Sequence, residues 1–285
     1  MKFTLKSNAK INVGLNVLGK LENGYHLLDM VMVPISLADT INGEILNEAG
    51  DLEIKTNKFD IPTDKKNILY KIYDSFYEKV NIPKRKVSLY LEKIIPHEAG
   101  LGGGSSNGGF FLKFLNFYHG NILSLEEMIE LGTKIGADIP FFIINKSGRL
   151  RGIGEKIEIF ENNLQNEIMI VKPKFGVSTK VAYEYSDLIE NKANANIEEI
   201  IFGLKENNLE KVEKNIKNNL EEGLLKIDEN IINFRKFLKG TFKQEFFMSG
   251  SGSAYFTFLD NNSRKEVLNN VQDIEFCEIY FCKFL

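Results

Sequence analysis

The chain has 285 residues, 43% hydrophobic and 26% charged, with a formal net charge of −3. That is an ordinary globular composition with ample material for a core, and the length suits two modest domains better than one large one. It excludes a chain-wide basic field of the kind that binds nucleic acid, although a local site can be positive on an acidic protein.

The first residues, "MKFTLKSNAKINVGL", do not read as a secretory signal, because Lys6, Asn8 and Lys10 interrupt the apolar positions. Alternation is clear in "AKINVGLNVLG". Ile11, Val13, Leu15 and Val17 share one face, and Lys10, Asn12, Gly14 and Asn16 share the other, which predicts a half-buried strand. A turn at Asn23-Gly24 leads into a second extended segment, "GYHLLDMVMVPISL", and "DLEIKTN" is a third. "KKNILYKIYDSFYEKV" reads as a helix with Ile68, Leu69, Ile72, Phe76 and Val80 on one stripe. "KVSLYLEKI" reads as a strand that ends before Pro96, and "SNGGFFLKFLNFYHG" as a buried helix. Ser124 with Glu127 makes a capping box for "LEEMIELGTKI", and Gly136 is placed to close that helix. Strands follow in "SGRLRGIGEKIEIF".

From about Asn162 the chain is richer in Asn, Glu and Lys. Helical patterns occupy "NIEEIIFGLKENNLEKVEKNI" and "LEEGLLKIDENIINFRKFLKG". Strands at "EIMIVKP", "EFFMSG", "SAYFTFL" and "CEIYFCKF" flank them. The expectation is an α+β fold in two halves, residues 1–158 and 159–285. Cys277 and Cys282 fall on opposite faces of the last strand, so free buried thiols are expected rather than a disulfide. His26, His97 and His119 are scattered, without zinc-ligand spacing. No apolar stretch approaches membrane-spanning length, and a soluble cytoplasmic protein is expected.

The run "GLGGGSSNGG", residues 100–109, lies between a strand and an apolar helix, which is no place for a loose linker. Glycines let backbone N–H groups approach an anion, and a helix N-terminus adds partial positive charge. Ser105 and Ser106 add hydroxyls for a phosphate oxygen or a metal. A Walker A loop needs Lys-Ser/Thr after its last glycine, but Gly108 is followed by Gly109 and Phe110. The dinucleotide pattern from Gly100 needs glycine where Ser105 stands. The residues themselves leave two readings, a phosphate cradle and a structural turn.

The longer stretch "IPHEAGLGGGSSN" resembles the ATP-binding motif of the GHMP kinases. "NAKINVGLNVLGKLENGYHLL", "LGTKIGADIPFF", "RGIGEKIE", "KPKFGVST" and "MSGSGSAYF" extend the resemblance in order from Lys10 to Phe256. They narrow it to the branch that acts on a cytidine-diphosphate-linked methylerythritol. The resemblance implies a ribosomal protein S5-like N-terminal domain, a ferredoxin-like C-terminal GHMP kinase domain and an active site in the cleft between them. It implies transfer of the ATP γ-phosphoryl group to the substrate 2-hydroxyl in the non-mevalonate isoprenoid pathway, with Mg²⁺ as ATP's companion. It implies no nucleic-acid or membrane partner, and we expect a monomer or weak homodimer.

Site residues follow from the same resemblance. Asp138 in "GADIP" matches the catalytic aspartate, as general base or as a group that only orients the hydroxyl; by itself it reads as a turn or cap residue. Lys10 matches the catalytic lysine, and its alternation partner Asn12 would contact substrate. Pro96, His97, Glu98, Ala99, Gly100, Leu101, Gly102, Gly103, Gly104, Ser105 and Ser106 would hold ATP, with Asn67 and Lys93 on its adenine side. Tyr25 would stack on cytosine and His26 would bond the base edge. Tyr183 would be the opposing aromatic, with Tyr185 as its rival. "MSGSGS", Met248 to Ser253, would close over substrate phosphates or is simply a tight hairpin. Relatives commonly carry alanines where Gly108 and Gly109 stand, so a looser first helical turn is expected, and alanine at both positions should raise stability. Two other readings are a different small-molecule kinase of the superfamily, such as homoserine kinase, and a catalytically dead relative. Lys10, Tyr25, His26 and Asp138 together argue against both.

Overall fold

Two long strands, β1 (Lys2–Lys20) and β2 (His26–Ala49), pair with each other and carry the N-terminal part of the chain. The computed structural model describes residues 1–271 and 274–285. They form two compact units that interleave in sequence. The first comprises Met1–Ala9, Ala38–Ile95 and Gly102–Asn145, and the second Lys10–Leu37, Pro96–Leu101 and Lys146–Leu285. Both β1 and β2 continue from one unit into the other.

In the first unit, β3 (Leu52–Thr56) runs parallel to β4 (Arg85–Glu92), and β4 pairs antiparallel with residues 40–49 of β2. Alternation along β4 buries Val87, Leu89 and Leu91. Helix α1 (Ile68–Val80) buries Leu69, Ile72, Tyr73, Phe76 and Tyr77, so its inward stripe lies partly beside the expected one. These residues join Phe111 and Leu115 of α2 (Gly103–Tyr118) in one apolar core. Helix α3 (Leu125–Ile135) opens on the expected Ser124–Glu127 capping box and closes at Gly136, whose N–H bonds to Gly132 O. The segment "IPFFII" forms a short buried helix, α4 (Ile139–Ile144).

Helix α2 begins inside the glycine run, after Gly102 in the left-handed region at φ 72°. That corrects the expectation for Gly108 and Gly109. They lie in its second turn, both buried, and Gly109 serves close packing rather than looseness. A Cβ at Gly109 would sit 2.9 Å from Phe142 Cβ and 3.2 Å from both Ile139 O and Ile143 N of α4.

In the second unit, residues 28–32 of β2 pair with β5 (Gly148–Gly152), which pairs with β6 (Lys156–Ile159), all antiparallel. A separate antiparallel sheet has the order β10-β7-β9-β8, built from β7 (Glu167–Pro173), β8 (Phe247–Met248), β9 (Tyr255–Leu259) and β10 (Cys277–Cys282). Helix α5 (Thr179–Asp187) precedes two helical pairs. In the first, α6 (Ile197–Lys205) and α7 (Leu209–Asn215) are separated where Asn207 turns left-handed and Asn208 caps the second helix. In the next, α8 (Asn219–Ile227) and α9 (Glu229–Thr241) are split at Asp228, whose side chain accepts from Asn230 N and Ile231 N. Helix α10 (Asn261–Asn270) follows β9. Cys277 and Cys282 are free and buried, and burial pushes their thiols up to about 11 and about 12.

Strand β1 is buried at every position from Ser7 to Val17, which corrects the half-buried reading. Alternation tells which side chains share a face but not whether the polar face is also covered. Here Asn16 exchanges hydrogen bonds with both Ala195 N (2.7 Å) and Ala195 O (3.0 Å), and a Cβ at Gly14 would lie 2.8 Å from Ile200 Cδ1.

Candidate active site

Lys10 stands on the buried polar face of β1 with only 3% of its surface exposed. Its ammonium donates to Asn12 Oδ1. The backbone N–H of Asn12 bonds to Ser249 Oγ at 3.2 Å, and Lys10 N bonds to Leu101 O at 3.1 Å. Ser249 opens the loop between β8 and β9, so "MSGSGS" is indeed the turn of a hairpin. That loop also packs on the glycine run. Ser249 Oγ donates to Gly100 O (3.0 Å), Ser253 N to Glu98 O (3.1 Å) and Ala254 N to Ala99 O (3.3 Å). Gly100 has φ 69°, and a Cβ there would lie 1.9 Å from Ser249 O, so position 100 requires glycine for both conformation and approach. A Cβ at Gly250 would lie 3.2 Å from Lys10 Nζ, and Asn218 holds that loop through Met248 O (2.9 Å) and Gly250 O (2.8 Å). Pro96 is half-buried and His97 and Glu98 are exposed. In the second unit, then, a buried cation, an amide and two glycine-bearing loops form one cluster.

The same unit gathers the residues expected at a base. His26 is buried, and its ring stacks on Tyr183 with centroids 4.5 Å apart and planes 16° apart. The backbone of Tyr185 packs closely on α8, where a Cβ at Gly223 would approach Tyr185 O to 2.8 Å. Tyr25 is 56% exposed. Asp187, which the sequence reading missed, lies 2.8 Å from His26 Nε2 and 2.8 Å from Lys20 Nζ.

The first unit carries the remainder. Gly102 to Ser106 form the start of α2, with Gly104 exposed and Ser105 half-buried. Ser106 is fully buried and donates to Asn8 O at 2.6 Å, so its hydroxyl hydrogen is committed to β1. Lys93 is neither on the surface nor alone. Its ammonium pairs with Asp39 Oδ2 and reaches Asn107 Oδ1 at 3.3 Å. Asp39 is fully buried, and its Oδ1 accepts from Ile94 N (2.7 Å) and Ile95 N (2.8 Å). Its Oδ2 also accepts from Asn107 Nδ2 at 3.0 Å. A buried carboxylate needs such compensation to remain charged. This network ties the end of β4 to the first turns of α2. A Cβ at Gly103 would lie 3.1 Å from Lys93 Nζ, so the lysine sits against the helix start. Asn67 caps α1 by accepting from Leu69 N (2.9 Å) while donating to Pro62 O (2.7 Å), which occupies both ends of its amide. Asp138 is half-buried at the N-cap of α4, directly after the Gly136 turn. A Cβ at Gly136 would lie 3.8 Å from Ser105 Oγ, so that turn borders the glycine loop.

Sequence reasoning missed Asp39, Asn107 and Asp187. Asp39 carried a signal: it falls between Leu37 and Ile41 on the buried phase of β2, where a charge needs a partner. Asp187 carried one too, four residues after Tyr183 on the same helix face.

Comparison with known proteins bears on this arrangement. The family model "GHMP kinases N terminal domain" matches residues 67–146, which contain both the glycine loop and Asp138. A 4-diphosphocytidyl-2-C-methyl-D-erythritol kinase of Fusobacterium nucleatum is 44% identical over 99% of this chain and 97% of its own length. The chain belongs to the 4-diphosphocytidyl-2-C-methyl-D-erythritol kinase family. A Clostridium kluyveri kinase of the same family is 36% identical, with 98% of this chain and 99% of the relative covered. A crystal structure of a kinase in this family superposes with a TM-score of 0.81 at 24% identity, covering 99% of both chains. A homoserine kinase from Cytophaga hutchinsonii superposes at 0.75 with 14% identity, covering 99% of this chain and 95% of its own. At those identities both structures establish the fold, a mixed α/β GHMP kinase with two sheets. No helix among the described residues is long and apolar enough to cross a membrane.

Proposed function

We propose that the protein transfers the γ-phosphoryl group of ATP to the 2-hydroxyl of 4-diphosphocytidyl-2-C-methyl-D-erythritol. The observation that carries this is the near-full-length likeness to kinases of that name, 44% identical over 99% of the chain. Phosphoryl transfer asks chiefly for positioning and charge compensation. In this reading the backbone N–H groups from Gly100 to Ser106 hold the ATP phosphates. Asn67 and Lys93 serve the nucleotide side indirectly, by fixing α1 and the start of α2. The 2-hydroxyl oxygen bonds to Pγ while the bond from Pγ to the ADP oxygen breaks. Asp138 takes the hydroxyl proton and later releases it to solvent. Lys10 offsets negative charge on the transferring group, and Asn12 holds its ammonium in place. Tyr25, His26 and Tyr183 take the cytidine.

The donor set fits a magnesium ion carried by ATP rather than one caged by protein. Among the described residues no group of three or more His, Cys, Asp or Glu side chains could hold a metal. Mg²⁺ commonly keeps waters and substrate phosphates as ligands. Ser105 is the loop hydroxyl accessible to it, since Ser106 is fully buried. When bound, the ion would neutralise charge on the β- and γ-phosphates. The proposal includes an ATP-binding half at residues 1–158, a second half at 159–285, a cytoplasmic location, a monomer or weak homodimer, and no nucleic-acid partner. ADP release with the cytidyl substrate, beside homoserine and mevalonate, tests it. Turnover of a control without turnover of the cytidyl substrate refutes it.

A further inference from the structure

Helix α5 grips His26 at two points. Tyr183 covers the face of the ring, and Asp187, one turn on, meets its edge at Nε2. The i,i+4 spacing puts both side chains on one face of the helix. Asp187 ends α5, where a carboxylate opposes the negative end of the helix dipole, so helix energetics do not account for it. Its contacts with His26 and Lys20 do. Burial raises the Asp187 carboxyl, but hydrogen bonds from Lys20 and His26 outweigh burial and hold it below the usual carboxylate range. An ionised carboxylate can only accept hydrogen bonds, so Nε2 carries the proton. In the neutral ring Nδ1 is then left with a lone pair and can only accept.

We propose that Asp187 is a positioning residue that fixes His26 as the Nε2–H tautomer and thereby makes the pocket select a base with an amino donor over one with a carbonyl. Cytosine presents an amino group where uracil presents an oxygen. An oxygen facing the Nδ1 lone pair leaves two acceptors opposed and unpaired, which a buried site rejects strongly. The inference rests on the reading of His26 as the residue that meets the base edge. Lys20 also faces Asp187, from β1, and its removal leaves the His26 contact in place, so it serves as a control.

Two measurements test the proposal. The chain has three histidines, so the ring nitrogens can be followed by ¹⁵N NMR and assigned with His26→Gln. The wild type should carry its proton on Nε2, and Asp187→Asn should mix the tautomers. A wild-type proton on Nδ1 overturns the proposal whatever the activity. Second, kcat/KM is measured for the cytidine-linked and the uridine-linked methylerythritol diphosphate. Wild type should prefer cytidine by about 10²-fold. Asp187→Asn should shrink that ratio at least about tenfold, with the loss mainly in KM, while Lys20→Met should leave the ratio unchanged. Equal loss of both substrates in Asp187→Asn overturns the proposal, because a purely structural role would do that. If wild type turns over neither substrate, the proposed activity fails. The NMR result and the binding ratio of CDP to UDP then still decide the role of Asp187.

Discussion

Alanine at Gly109 and alanine at Gly108 should have opposite effects, although the two glycines are neighbours on one helix. Either substitution gains about 0.8–1.0 kcal/mol of helix propensity. At Gly108 the new methyl lies 3.3 Å from Ile72 Cγ1 and 3.5–3.6 Å from Ile68 and Ile139 side chains. These are side-chain neighbours that can yield, so a net gain of up to ~1 kcal/mol is expected. At Gly109 the methyl lies 2.9 Å from Phe142 Cβ and meets two backbone atoms of α4 at 3.2 Å. Relief requires moving α4 itself, and overpacking of this kind costs about 1–3 kcal/mol. Net destabilisation of up to ~2 kcal/mol follows for Gly109→Ala. Asp138 stands at the N-cap position of α4, so the same displacement reaches the proposed base. Loss of roughly tenfold in kcat is expected, given that a 1 Å misplacement can cost 10²-fold. Urea unfolding gives the two midpoints, and steady-state kinetics give kcat and the KM for ATP. A Gly109→Ala protein as stable and as active as Gly108→Ala would refute the close-packing argument.

Asp39→Ala should cost about 3–5 kcal/mol, because it strands the Lys93 ammonium and two backbone N–H groups in the interior; a loss under about 1 kcal/mol by chemical denaturation would count against the network. Asp138→Asn should lower kcat by about 10²–10⁴ with ATP affinity retained, and an unchanged kcat would remove Asp138 from the role of base. The folded-state pKa of Asp187 is depressed, so its stabilising contribution is present above the ordinary value of 3.8 and is lost as pH falls through the lower folded value. The stability gap between wild type and Asp187→Asn should therefore be full at pH 7 and close in acid; a gap that widens in acid would reverse the sign and refute the ion pairing.

Local signals in the sequence located most elements of the fold. The Ser124–Glu127 capping box, the alternation of β4 and the strand–glycine–helix order around residue 100 are all visible because their causes lie within a few residues. What stayed hidden depends on partners distant in sequence. The polar face of β1 is buried because residues near 195–200 and 249–250 cover it, and nothing in "AKINVGL" announces that. Lys93 reads as a free cation until Asp39, 54 positions away, is found beneath it. Gly108 and Gly109 looked like weak helix formers, and only the position of α4 reveals that one of them is a contact surface. Resemblance to the GHMP kinases named candidates for the site. The structure adds the carboxylates, Asp39 and Asp187, that hold those candidates.

The position of the new phosphate tests the proposed transfer to the 2-hydroxyl. The enzyme is incubated with ATP, Mg²⁺ and the cytidyl substrate, and the product is examined by ³¹P NMR without proton decoupling. The 2-carbon of the methylerythritol carries no hydrogen, so a phosphate on its oxygen has no three-bond proton coupling. One new monoester resonance is expected as a singlet, formed with one equivalent of ADP and absent with Asp138→Asn on the same timescale. A split resonance, which marks transfer to a primary or secondary hydroxyl, or ADP release without any new monoester, would contradict the proposed transfer.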